Sequence, residues 1–129
     1  MNYLVTGGAG FIGSAVVRKL LDETEAVTVI DTLSTGYLSN VPDAVTFING
    51  DVSDQRVFDE LNNQNFDAII HLAGQSSGEI SFDDPVKDLN SNVVSTLLLL
   101  EYAVHTNCKR FIYASSMSVY GDQPNIQKY

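Results

Sequence analysis

Apolar residues recur along this chain in two alternating rhythms. Short, mostly β-branched runs give way to stretches in which apolar positions return every three or four residues. Tyr3-Leu4-Val5 runs straight into Thr6-Gly7-Gly8-Ala9-Gly10, the pattern of a buried strand stopped by a glycine turn. Ile12, Val16, Val17, Leu20 and Leu21 then follow at helical spacing, with Arg18, Lys19 and Asp22 outward, which predicts a first helix. Ala26-Val27-Thr28-Val29-Ile30 is nearly all apolar, as a parallel strand covered on both faces requires, and Asp31 closes it.

The same alternation continues downstream. Residues 32–42 are rich in Ser, Thr, Gly, Asn and Pro and read as a loop; Val45-Thr46-Phe47-Ile48 is a third strand that Gly50-Asp51 ends. Ser53 or Asp54 caps a helix through about Leu61, with Val57, Phe58 and Leu61 inward. Asn62-Asn63-Gln64-Asn65 is too polar for a core. Phe66-Asp67-Ala68-Ile69-Ile70-His71-Leu72-Ala73-Gly74 is a fourth strand running into small residues, where a ligand could come close to the backbone. Asp84-Pro85 starts a long helix, with Val86, Leu89, Val93, Leu97, Leu100 and Val104 as its inward stripe and an end near Asn107. Arg110-Phe111-Ile112-Tyr113-Ala114 is the fifth strand. Strands alternating with helices predict an α/β fold, a doubly wound, Rossmann-like parallel sheet of five strands with ligands at the strands' carboxyl ends.

Composition narrows the partners. At 129 residues the chain reads as one domain, 1–129. A formal net charge of −9 argues against nucleic acid and anionic membranes as partners. The seven Lys and Arg residues are scattered, so a phosphate-bearing ligand is expected to be held mainly by backbone amides. The single cysteine, Cys108, allows no internal disulfide, and the start lacks a secretion signal, which suits a cytoplasmic location. No apolar run is long enough to cross a bilayer. No metal-ligand spacing connects His71, His105 and Cys108, so no metal site is expected; Cys108 reads as a packed thiol and His105 as a helix-end residue.

The candidate chemistry begins at Gly7-Gly8-Ala9-Gly10-Phe11-Ile12-Gly13, which fits G-x-x-G-x-x-G and, from Gly8, G-x-G-x-x-G. Set between a strand and a helix, such glycines let a pyrophosphate reach the helix N-terminus. Asp31 stands eighteen positions after Gly13, where a carboxylate accepts hydrogen bonds from an adenosine ribose and repels a 2′-phosphate, favouring NAD over NADP. Capping the next turn is its plainer role. Asp51 fits an adenine contact and a turn-forming residue equally well.

Together with Asp31-Thr32-Leu33-Ser34-Thr35-Gly36, His71-Leu72-Ala73-Gly74-Gln75, Asn92-Val93-Val94-Ser95-Thr96 and Ser115-Ser116-Met117-Ser118-Val119-Tyr120-Gly121, that loop makes the chain resemble the extended short-chain dehydrogenase/reductase family. The nearest likeness is to its NAD-dependent epimerase/dehydratase group, UDP-sugar 4-epimerases above all, over nearly the whole chain. The resemblance implies NAD as cofactor and a sugar nucleotide as substrate of the complete enzyme. It matches Gly7, Gly10 and Gly13, with Phe11 and Ile12 between them, to the pyrophosphate loop and Asp31 to the ribose ligand. Asp51 and Val52 match the adenine pocket, Leu72, Ala73 and Gly74 the cofactor wall, and Asn92 a helix asparagine on the nicotinamide side. Ser116 matches the catalytic serine that holds the reacting sugar hydroxyl, with Ser118 assisting.

The sequence departs from the family pattern in two places. Ser95 stands where the family usually has glycine. The Tyr-x-x-x-Lys pair, whose tyrosine takes the hydroxyl proton, is missing: Met117 lies four positions after Tyr113 and Pro124 four after Tyr120, Tyr129 has no lysine after it, and Lys128 has Pro124 four before it. The expectation is an incomplete NAD-binding domain, lacking later strands and a substrate domain, with no turnover of its own and an exposed sheet edge that invites self-association. A non-catalytic dinucleotide-binding sensor or interaction module remains the alternative.

Overall fold

The computed structural model describes residues 1–23 and 26–121. Pro124, Lys128 and Tyr129, which enter the argument about the missing pair, lie outside them. Five strands form one parallel sheet: β1 (Asn2–Thr6), β2 (Ala26–Asp31), β3 (Thr46–Asn49), β4 (Ala68–His71) and β5 (Phe111–Tyr113), in the order β3-β2-β1-β4-β5. The chain winds outward from β1 to β3, then returns to the other side of β1 for β4 and β5. That reversal between β1 and β4 is the topological switch point of a doubly wound sheet.

Period-two alternation explains how both faces are covered. Leu4, Ile30 and Ile69 point to one side, where they meet Val57, Leu61, Leu99 and Tyr102. Their neighbours Val5, Val29 and Ile70 point to the other, against Val17 and the half-buried Val16, Leu20 and Leu21 of α1 (Phe11–Leu21). Residues Gln55–Leu61 form a 3₁₀ helix capped by Asp54, whose carboxylate accepts from the Arg56 amide. Tyr102 closes the first core: its hydroxyl donates to the Gln64 carbonyl at 2.7 Å, and burial pushes its pKa up to about 12.

The long helix differs from the expectation. It comprises α3 (Pro85–Leu89), a π turn over Asn90–Val94 and α4 (Ser95–His105), preceded by a short helix α2 (Gly78–Asp83). Asp84 caps α3 through the Lys87 amide, as its place before Pro85 predicts. The stripe read as inward, Val86, Leu89, Val93, Leu97, Leu100 and Val104, is instead exposed, between 41% at Leu100 and 82% at Val104. The face against the sheet is Ser95, Leu99, Tyr102 and Ala103. Both faces of this helix are apolar, and periodicity cannot choose between them. The inner one carries Ser95 and Ala103 because the helix lies close to β4 there, and bulkier residues are left outside.

Candidate functional site

A crevice of about 300 Å³ opens at the carboxyl ends of β1, β2 and β4, at the switch point. Gly7 and Gly10 line it beside Asp31, Asp51, Val52, Leu72, Ala73 and Gly74. The glycine loop has two distinct physical constraints. Gly7 has φ +74, and a Cβ there would sit 2.7 Å from the Ala73 nitrogen, so this position needs glycine for its backbone and for the approach of β4. A Cβ on Gly13 would fall 2.0 Å from the Gly7 carbonyl oxygen, so Gly13 is fixed by the packing of α1 on its own loop.

Gly10 is different. A Cβ there would meet only the Gly7 oxygen, at 3.3 Å, so the protein itself does not fill the space in front of it. Gly10 is also the N-cap of α1 and offers no side-chain cap, whereas Asp54, Ser77, Asp84 and Ser116 cap their helical turns by accepting from backbone amides. The first turn of α1 therefore keeps free N–H groups and the positive end of the helix dipole beside open space, the arrangement that suits a phosphate.

Asp31 is nearly buried, and its carboxylate bridges two segments. One oxygen accepts from the Ala9 amide at 2.9 Å and the other from the Leu33 amide at 2.8 Å. This ties the glycine loop to the loop after β2 and leaves carboxylate lone pairs at the crevice wall. The Leu33 bond makes Asp31 the turn former weighed above, and the crevice position gives it the ligand-facing role as well. Asp51 also does both: its Oδ1 accepts from the Ser53 amide and hydroxyl, each at 2.8 Å, while the residue lines the crevice. The loop following β2 folds over the glycine loop, where Tyr37 N–H and Asn40 Nδ2 both donate to the Ala9 carbonyl.

Behind the wall lies His71, 1% exposed. Thr96 Oγ1 donates to the Asn92 carbonyl at 2.7 Å and Ser95 Oγ to the Ser91 carbonyl at 2.6 Å. Having spent their hydrogens, both hydroxyls accept from His71 Nε2, at 3.1 and 3.4 Å. Nδ1 must then accept from Thr6 Oγ1, 2.6 Å away, and that oxygen in turn accepts from the Ala73 amide at 3.3 Å. His71 is thus a neutral Nε2–H tautomer joining α4 to the cofactor-wall residue Ala73. Desolvation pulls its pKa down to about 4. Ser95, the departure from the family's glycine, supplies part of this network.

The other candidates fall outside the crevice lining. Asn92 clamps the backbone of Gln75, accepting from its amide and donating to its carbonyl, both at 2.9 Å. Phe11 and Ile12 are 94% and 66% exposed and line a shallow apolar depression on the outer face of α1 with Val16 and Leu20. Ser116 is exposed at the carboxyl end of β5, where its hydroxyl accepts from the Ser118 amide at 3.1 Å. Cys108 is half-buried against the first core. Lining residues that the motifs did not single out are Thr32, Ser34, Thr35, Lys87 and Ser91. Two of these come from α3 and the π turn, which the sequence places only once the register of the long helix is known. Among the described residues no cluster of His, Cys, Asp and Glu could hold a metal ion, and no helix is long and apolar enough to cross a membrane.

A parallel doubly wound sheet with a glycine-lined, uncapped helix N-terminus and a ribose-facing carboxylate at its switch point defines the class of dinucleotide-binding Rossmann-type domains. Residues 3–129 match the model of the NAD dependent epimerase/dehydratase family, and the chain belongs to that family. It is 39% identical over 137 residues to the bifunctional UDP-glucose 4-epimerase and UDP-xylose 4-epimerase 3 of Arabidopsis thaliana, covering 97% of this chain and 39% of the relative. A UDP-glucose 4-epimerase of Klebsiella pneumoniae is 35% identical, with 98% of this chain and 96% of the relative covered. Among solved structures, the Thermus thermophilus UDP-glucose 4-epimerase in complex with NAD superposes with a TM-score of 0.89 at 36% identity, over 100% of this chain and 42% of that one. Apart from relatives such as the Klebsiella protein, the chain spans about 40% of the length of the proteins it matches.

Proposed function

We propose that this chain is the NAD-binding portion of a sugar-nucleotide epimerase or dehydratase, most like a UDP-sugar 4-epimerase. The observation that carries the reading is the open space before Gly10 at the uncapped start of α1, facing the Asp31 carboxylate across one crevice. The residues fit the cofactor. Gly7, Gly10 and the first amides of α1, those of Phe11 and Ile12 included, take the pyrophosphate, while Gly13 lets α1 approach closely enough to present them. Asp31 accepts from the adenosine ribose and disfavours a 2′-phosphate, and Asp51 and Val52 border the adenine. Leu72, Ala73 and Gly74 form the wall that Asn92 and His71 brace from behind.

When bound, NAD supplies a hydride acceptor that makes transient oxidation of a sugar carbon feasible. Ser116, at the carboxyl end of β5, holds the reacting sugar hydroxyl, Ser118 assisting. The substrate of the complete enzyme is a sugar nucleotide. The proton acceptor of that reaction is not supplied by any Tyr-x-x-x-Lys pair within the 129 residues, so the chain alone does not turn over. A cytoplasmic location belongs to this reading, since the one free cysteine suits a reducing compartment. So does self-association through the open edge of β5, where Ile112 and Tyr113 are each 53% exposed.

Calorimetric titration with NAD and NADP tests the reading. NAD binding with much weaker NADP binding is expected. Failure to bind either dinucleotide, or a preference for NADP, overturns it, and epimerisation of a UDP-sugar by the purified chain overturns the claim of no turnover.

A further inference from the structure

The wall of the crevice contains one cationic side chain among the described residues, that of Lys87. We propose that Lys87 is a phosphate-binding residue of this site, its ammonium neutralising the pyrophosphate of the dinucleotide. The inference rests on the NAD-binding reading and adds to it a side chain that the glycine loop does not imply.

Three observations converge on this role. The first is charge. Asp31 and Asp51 border the same crevice in a chain of net charge −9, so an anionic ligand entering it meets two carboxylates and an unfavourable overall field. Free amides at one helix start offset only part of that repulsion. The second is that Lys87 has no carboxylate partner. The ion pairs among the described residues are Lys19 with Glu23 and Arg56 with Asp54, so the Lys87 ammonium is not neutralised inside the protein. Arg18 and Lys19 belong to the outer face of α1 and line the separate apolar depression there.

The third observation is orientation. Lys87 and Ser91 stand one helical turn apart and both line the crevice, so a single face of the helix is turned to it. The adjacent residue fixes that rotation. Asp88 Oδ1 accepts from Gln75 Nε2 at 2.8 Å, Ser81 Oγ at 2.8 Å and Asn92 Nδ2 at 3.0 Å. This half-buried carboxylate pins the helix to the segment that follows β4, and with Asp88 held on that side Lys87 is held toward the crevice.

The test is calorimetric titration of the purified chain with NAD, at low and raised salt, for the wild type and for Lys87→Gln, Lys87→Arg and Lys19→Gln. Lys19→Gln makes the same change in net charge outside the crevice. Lys87→Gln is expected to weaken NAD binding about fivefold and to flatten its salt dependence, with Lys87→Arg close to wild type and Lys19→Gln unchanged. Lys87 is exposed, and thermal melts coinciding with the wild type confirm that the variants fold. Equal NAD affinities for Lys87→Gln and Lys19→Gln overturn the assignment of Lys87 while leaving the dinucleotide reading in place. A wild-type chain that does not bind NAD removes that reading and this inference together.

Discussion

His71 shows how a single residue can be legible in type and illegible in role. In sequence it is a histidine without metal-ligand spacing inside an apolar run, and nothing there reveals that Thr6, Ser95 and Thr96 surround its ring. The structure makes it a pH-dependent part of the fold. Its pKa is about 4 in the folded chain against an ordinary 6.5, so its contribution to stability is complete above pH 6.5 and is lost as pH falls from 6.5 toward 4. The full loss corresponds to about 3 kcal/mol. Urea denaturation at pH 7.5 and 5 should show a larger drop for the wild type than for His71→Gln, which cannot titrate; parallel drops would refute the assignment. Asp31, by contrast, was readable from its distance to Gly13 at the end of an apolar run. What the sequence could not show is that both its oxygens also accept backbone amides. Asp31→Asn replaces one acceptor by a donor facing an N–H, so it should lower NAD affinity about tenfold and narrow the preference over NADP. An unchanged NAD-to-NADP ratio in paired titrations would remove Asp31 from cofactor selection.

At the scale of elements, the glycine loop separates folding from binding. Gly13→Ala places a methyl group 2.0 Å from a backbone oxygen and should lower stability by more than about 2 kcal/mol. Gly10→Ala meets only one atom at 3.3 Å and faces the crevice, so it should melt near the wild-type temperature yet bind NAD at least about tenfold more weakly. Scanning calorimetry with a binding titration on both variants checks this, and a Gly10→Ala chain that binds normally would mean that the open space is not a phosphate position. The motif spacing identified all three glycines, but without coordinates their constraints look alike. Strands were the most legible elements, because each is a short apolar run ended by Gly, Asp or Asn. The long helix was legible in extent and start, through Asp84 and Pro85, and misread in facing. Its outer stripe is as regular as its inner one, and the decisive fact, the closeness of β4 at Ser95, is tertiary.

For the whole molecule, the strand order and the crevice at the switch point follow from alternation and right-handed crossovers, so the architecture was largely readable. Surface completion was not. The exposed stripe from Val86 to Val104 and the open edge of β5 together leave an apolar surface that a stable soluble domain normally covers. Sedimentation velocity over a range of concentrations should show self-association of the purified chain, reduced by Leu97→Glu with Leu100→Glu if the stripe takes part and by Ile112→Lys if the edge does. A concentration-independent monomer would refute both routes. The π turn at Asn90–Val94 has a bearing on how such a chain can diverge. With α3 anchored by Asp88, deletion of one residue within the turn would rotate everything after it by about 100°. Leu100 and Val104 would then face the sheet in place of Leu99 and Ala103, and Thr96 would stand where Ser95 meets His71. A lineage of this domain can therefore lengthen or shorten the loop after β2 gradually, whereas a single-codon deletion here exchanges the inside and outside of a helix in one step.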